Sequence, residues 1–235
     1  MVKNFYGRIL FIVILLVMCG GVKAAQSQEK EIVDEYLEYA ANLTNFNEST
    51  IVDIITSMSF GGVQYGKDSI NSMLSNRNII LNAVVDDNTA AVVTSMLLFY
   101  DTKSGEDILF YINSPGGSVY AGLGVYDAML LINSDVRTVC TGMAASMAAV
   151  LLSSGTKGKR ASVKGGKIMI HNPQNDKEES DKNAAELQKL RTEILGILVN
   201  NTGQPERKIA ENMDSETWFG AEDAKEYNMI DYIIK

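Results

Sequence analysis

Apolar residues recur along this chain in two rhythms. In "EKEIVDEYLEYAANL", from Glu29 to Leu43, they fall three and four apart, with Ile32, Tyr36, Tyr39 and Ala40 on one side. That spacing predicts an N-terminal helix, followed by a polar link, "TNFNEST". From Ser75 onward, short β-branched runs alternate with longer helical ones. "NIILNAVV", "DILFYINS" and "VRTVCTG" read as buried strands. "DDNTAAVVTSMLLFY", "SVYAGLGVYDAMLLIN" and "SMAAVLLSSG" read as the helices that follow them, the first opening on an N-cap. "KRASVKGGKIMIH" reads as a hairpin of two short strands around Gly165 and Gly166. Such alternation predicts an α/β domain with mainly parallel strands. The longest helix is expected in "KEESDKNAAELQKLRTEILGILVNN", with Glu178, Glu179 and Asp181 suiting its start and Gly203 its stop. Its apolar stripe, Leu187, Leu190, Ile194 and Leu198, is expected to serve either the chain's own core or a contact with a partner subunit. "ETWFGAEDAKEYNMIDYIIK" closes the chain with a short helix and a strand.

The first residues follow a different pattern. Lys3 and Arg8 precede the apolar run "ILFIVILLVMCGG", and "VKAAQSQ" offers small residues up to Ala24. This is the layout of a secretory signal peptide, and the run is short for a membrane span. "LVMCG" also has some likeness to a lipid-attachment site at Cys19. Residues 1–24 are therefore expected to be a signal peptide or a membrane or lipid anchor, and residues 25–65 an N-terminal helical extension. Any membrane link is expected only through that first segment.

The 235 residues suffice for one sizeable core. A net charge of −8 argues against nucleic acid as a partner. Cys19 and Cys140 form neither a disulfide framework nor a metal-site pattern, and no metal or organic cofactor is expected. His171 is the one histidine, so any chemistry that needs an imidazole must use it.

In α/β sheets functional groups gather at the carboxyl ends of strands. Ser146 follows "TGMAA" at a strand-to-helix junction, where free N–H groups and the helix dipole favour negative charge. It reads as a nucleophile that needs a base, or as a serine capping a helix in a seam of small residues. "SPGGS" after the second strand could aim N–H groups at an oxyanion, or could be an ordinary turn. His171 ends the strand "KIMI" and is the candidate base; Lys157, Lys159, Lys164 and Lys167 could replace it in a Ser-Lys arrangement. Asp214, Glu216, Glu222 and Asp223 are candidate acids.

These blocks together resemble the proteolytic subunit of the Clp protease family, the ClpP serine peptidases. The likeness runs from about Gly66 to Lys235 and is carried by "YINSPGGSVYAGLGVYDAM", "VCTGMAASMAAVLLSSGTKGKR", "IMIHNP" and "WFGAEDAKEYNMID". It implies a peptidase domain over residues 66–235, with the α/β ClpP/crotonase-like spiral of strand-strand-helix units and a long handle helix. It implies Ser146 as nucleophile, His171 as base, and the N–H groups of Gly117 and Met147 as the oxyanion hole. The family acid lies two residues before an aromatic; here the aromatic is Trp218, expected to be buried, and the matching position is Glu216, with Asp214 the alternative. Thr217 stands where the family often has arginine, and the segment after His171 lacks the usual Gly-rich strand. "HNP" and "MDSETW" are closer to the ClpP-like proteases of phage heads.

The implied function is a serine endopeptidase acting on polypeptides inside a homo-oligomeric ring, with a Clp-type ATPase unfoldase as a possible partner. The alternatives are a phage-type prohead protease, a crotonase-like scaffold that binds without catalysis, and a Ser-Lys peptidase. The family is cytoplasmic, whereas the N-terminus points to export or anchoring.

Overall fold

The computed structural model describes residues 32–60, 67–174 and 181–235. The expected signal or anchor segment lies outside the described residues, as do Glu178 and Glu179. Helix α1 spans residues 32–44. It is followed by α2 (Glu48–Phe60), α3 (Lys67–Ser75), β1 (Asn78–Leu81), α4 (Asp87–Lys103), β2 (Ile108–Ser114) and α5 (Val119–Leu131). Then come β3 (Val136–Ala145), α6 (Met147–Ser153), β4 (Ala161–Val163), β5 (Lys167–Ile170) and α7 (Asp181–Thr202). The chain closes with α8 (Glu206–Asp214), β6 (Thr217–Gly220), α9 (Ala221–Glu226) and β7 (Tyr232–Ile234).

The sheet runs β1-β2-β3-β4-β7 in parallel, and β5 joins β3 to the antiparallel β6. Alternation of apolar strands and capped helices produces this order. Asp86 starts α4 through a reciprocal cap: its carboxylate accepts from Thr89 N–H at 2.8 Å, and Thr89 Oγ1 accepts from Asp86 N–H at 2.9 Å. Ser118 caps α5 by accepting from Ala121 N–H.

Four features differ from the sequence reading. The polar link shrinks to residues 45–47, because Glu48 already begins α2; α2, α3 and α8 were not anticipated. Val33 and Leu37 join Tyr36 and Ala40 in the core, so the N-terminal extension shares one core with the sheet domain. The Gly165–Gly166 hairpin is not a hairpin. β4 pairs with Val139 and Cys140, β5 pairs with Met143 to Ala145, and both run parallel to β3. Ten-residue β3 offers one long edge, and the Gly-Gly turn offsets the chain along it without reversing it. Finally, Leu190, Ile194 and Leu198 are buried within the chain, together with Leu195 and Ile197, so of the two roles expected for this stripe these residues serve the chain's own core, while Leu187 is half-buried. The stripe packs inward because α7 lies against α6 and α8.

One ion pair ties the far ends of these elements together. Arg160, at the entry to β4, is 2% exposed. Its Nε and Nη2 donate to the two carboxylate oxygens of Asp231 at 2.9 and 2.7 Å, and its Nη1 donates to Ser153 O and Asn201 O at 3.1 and 2.9 Å. Asp231 also accepts from the N–H groups of Gly158 and Arg160. Burial opposes the charged carboxylate, but hydrogen bonds from the Arg160 side chain and backbone outweigh it and hold Asp231 below its usual range.

Removing one partner of a buried pair leaves an uncompensated charge. Asp231→Asn is therefore expected to lower stability by about 3 kcal/mol at pH 7, read from urea unfolding. The depressed carboxyl contributes stability above its unfolded pKa near 3.9, and this is lost as pH falls through the lower folded value. The variant should accordingly lose less stability than the parent on acidification below about pH 4; parallel acid-unfolding curves would refute this.

Candidate active site

β3 ends at Ala145, and the chain turns at Ser146 into α6 with φ 56° and ψ −126°. This conformation is rare for a residue with a Cβ. It is held from both sides: Ser146 N–H donates to Met169 O on β5 at 2.8 Å, and Ser146 O accepts from Ala149 N–H at 2.9 Å as the first carbonyl of α6. The Ser146 side chain makes no capping bond to the helix it precedes. Its Oγ instead lies 2.8 Å from His171 Nε2. The capping reading of Ser146 therefore fails, and the serine and histidine singled out in the sequence meet.

Gly116 explains how the neighbouring loop comes so close. A Cβ there would lie 2.5 Å from Ala145 O, 2.8 Å from Ser146 Cβ and 2.9 Å from Met147 N, and its φ is +89°. Only glycine fits both the conformation and the space. The next residue, Gly117, sits in a parallel bridge opposite Val85. Val85 N–H donates to Gly116 O, and Ser118 N–H donates to Val85 O, both at 2.8 Å. In such a bridge the N–H of Gly117 itself points away from Val85. Met147 opens α6, where the first N–H groups have no carbonyl a turn earlier. Two backbone donors thus border the turn that carries Ser146.

Beside the pair is a small cleft. Ser146 and His171 form part of its wall, and Val119, Val150, Ile170, Ile194 and Leu198 give it an apolar lining. From sequence alone the two residues from α7 were expected in the chain's own core or in a subunit contact; the structure makes them part of the cleft. Lys157, Lys159, Lys164 and Lys167 do not line it, and Lys159 is bonded to Asp107 and Asp135 at 2.7 Å each.

Neither candidate acid meets the histidine. His171 Nδ1 is buried with no hydrogen-bond partner among the described residues. Asp214 ends α8 and accepts instead from Asn172 Nδ2 at 2.7 Å and Arg191 Nη2 at 3.1 Å, which together hold its carboxyl below the usual range. Glu216 is exposed and has φ 49°; its N–H donates to Met213 O at 3.4 Å, and its carboxylate forms no hydrogen bond or ion pair with the described residues. Trp218 does not anchor this segment by burial, being 49% exposed. Alternation along β6 turns Thr217 and Phe219 inward; Thr217 Oγ1 bonds Asn212 O at 2.9 Å, and Phe219 packs on Tyr227 with ring centroids 4.7 Å apart. Glu222 and Asp223 open α9, where Asp223 accepts from Gly220 N–H. The Asn172–Arg191–Asp214 cluster was missed in the sequence. Its one signal there was an arginine beside the apolar stripe of the long helix.

Residues 62–235 match the family model described as Clp protease. Among curated proteins, an ATP-dependent Clp protease proteolytic subunit of Bacteroides fragilis is 39% identical over 217 residues, 86% of this chain and 99% of that protein. A second subunit of the same description from Bacteroides fragilis is 45% identical over 172 residues, 71% of this chain and 83% of its own length. One from Porphyromonas gingivalis is 42% identical over 173 residues, covering 72% and 78%.

The close approach of Gly116 yields a direct expectation. Gly116→Ala should leave a folded protein whose Ser146 reacts with a fluorophosphonate about tenfold more slowly or worse, because the added methyl must push the turn at Ser146 and Met147. A labelling rate equal to the parent's would show that the turn tolerates displacement.

Proposed function

The chain belongs to the Clp protease family and is a serine-type peptidase, and on that premise we propose that Ser146 is its nucleophile and His171 its general base. The observation that carries this is the 2.8 Å contact between Ser146 Oγ and His171 Nε2 at the mouth of an apolar cleft. His171 takes the hydroxyl proton as Oγ attacks the peptide carbonyl. The N–H groups of Gly117 and Met147 hold the developing oxyanion. His171 then gives the proton to the leaving amine, and water completes hydrolysis of the acyl-enzyme. The apolar cleft beside Ser146 receives the side chain on the acyl side of the scissile bond, favouring apolar residues there.

Glu216 is the proposed third member. Asp214 is already bonded to Asn172 and Arg191, whereas the Glu216 carboxylate is uncommitted and available to accept from His171 Nδ1 after a local shift at Glu216 that leaves Asp214 in place. A crotonase-like binding scaffold without catalysis would have no use for an uncapped serine paired with an imidazole. The curated relatives named above are subunits of ATP-dependent Clp proteases, which favours an unfoldase partner over a prohead protease. Homo-oligomeric rings follow from the same reading. The stripe first considered for their contacts is buried, and Leu130 and Leu131 at the end of α5, 64% and 75% exposed, are better candidates.

Ser146→Ala is expected to reduce cleavage of an apolar fluorogenic peptide by about a thousandfold or more without loss of fold; undiminished cleavage would end the serine-peptidase assignment of this site. Glu216→Gln should lower kcat on the order of a hundredfold, and Asp214→Asn by no more than about tenfold. The reverse order would transfer the role to Asp214, and parental rates in both would leave Ser146 and His171 as a dyad. Light scattering should give a mass several times that of one subunit, and Leu130→Lys with Leu131→Lys should shift it downward. An active monomer would refute the ring.

A further inference from the structure

His171 is fixed by its flanks more than by its ring. Among the described residues the imidazole makes one hydrogen bond, to Ser146. Before it, Ile170 is paired with Thr217 on β6. After it, Asn172 is held at three points. Its N–H donates to Met213 O at 3.2 Å, its Nδ2 donates to Asp214 Oδ1 at 2.7 Å, and its Oδ1 accepts from Arg191 Nε at 3.0 Å. Arg191 Nη2 closes the triangle on Asp214 Oδ1 at 3.1 Å. The three side chains come from three separate places: α7, the segment after β5, and the end of α8. Each of the three bonds between these side chains has a full charge on one side or on both, which makes them stronger than bonds between neutral groups.

We infer that Asn172 and Arg191 are positioning residues for His171, holding the backbone that carries the imidazole so that Nε2 meets Ser146 Oγ. Packing alone does not need them: α7 and α8 already bury Leu190, Ile194, Leu198, Ile209 and Met213. What the triangle adds is direction. A guanidinium offers a rigid fork that engages the amide oxygen and the carboxylate together, and the amide engages both partners at once. A loosened His171 misplaces the base, and an error of about 1 Å in a reacting group can cost on the order of a hundredfold in rate. The same commitment explains why Asp214 is not the group that meets Nδ1. This inference rests on the assignment of Ser146 and His171 given above.

The test uses full-length chain, with steady-state cleavage of an apolar fluorogenic peptide, thermal unfolding and light scattering on each variant. Asn172→Ala and Arg191→Met should each lower kcat about tenfold or more, with KM within about twofold and assembly intact. Together they should be no worse than the weaker single variant, since they act as one unit. Asn172→Asp keeps the volume but sets two carboxylates against each other, and should lower kcat similarly. Adding Asp214→Asn reverses donor and acceptor and should restore kcat to within about threefold of the parent. Parental kcat in Asn172→Ala and Arg191→Met, or no recovery in the reversed pair, would overturn the inference. So would a loss of kcat that appears only with lost assembly or a lowered Tm, which would assign the triangle to holding α7 against α8. Hydrolysis that survives Ser146→Ala would instead strike at the nucleophile; hydrolysis lost there but unchanged in Asn172→Ala strikes only at the positioning role.

Discussion

The buried pair between Arg160 and Asp231 is the constraint on which the remaining geometry depends. A guanidinium taken out of water is costly unless every donor is used, and here the fork spends two on one carboxylate and another on two backbone carbonyls. Those carbonyls belong to Ser153 at the end of α6 and Asn201 near the end of α7. The carboxylate precedes β7, and the arginine precedes β4. One charge pair therefore sets two helices and two strands against each other, at the opposite end of α6 from Ser146 and one turn of α7 beyond Leu198. With their far ends fixed, the other end of α6 presents the serine, and α7 presents Ile194 and Leu198 to the cleft.

The reactive end is assembled differently, from backbone more than from side chains. Ser146 is held by a strand carbonyl before the helix and by the first helical bond after it. Gly116 fits against it, which sets the loop after β2 beside Ser146 and Met147. Each of these contacts depends on the parallel pairing of β2, β3 and β5, because that pairing sets the levels at which the three strands end. The sheet thus supplies position, and the loops supply chemistry.

Much of this could be read from the residues, for physical reasons that also mark where reading fails. β2, α5 and α6 were legible because their apolar runs are long and bounded by Ser118, Gly116 or Ser146. The meeting of Ser146 with His171 was legible because the chain has one imidazole and it ends a strand. The Gly165–Gly166 turn was misread because a turn fixes only local geometry, and whether the chain reverses there depends on the free edge of β3. Periodicity identified the apolar face of α7 and could not say what covers it. Trp218 was expected to anchor its segment by burial as the aromatic of the motif, but strand alternation gave the inward place to Phe219. The Asn172–Arg191–Asp214 triangle joins residues up to 42 positions apart and leaves no pattern along the chain.

The turn at Ser146 carries a consequence for how such a chain can change over time. Its dihedral angles, φ 56° and ψ −126°, suit glycine far better than any residue with a Cβ, and holding a serine there costs about 1–3 kcal/mol. The residue that would fold most easily at this position is thus the one that cannot attack a carbonyl. With Ser146 as the nucleophile proposed above, selection for stability and selection for catalysis pull this codon in opposite directions. On that reading, a copy of the chain released from proteolytic duty would gain stability by exchanging this serine for glycine.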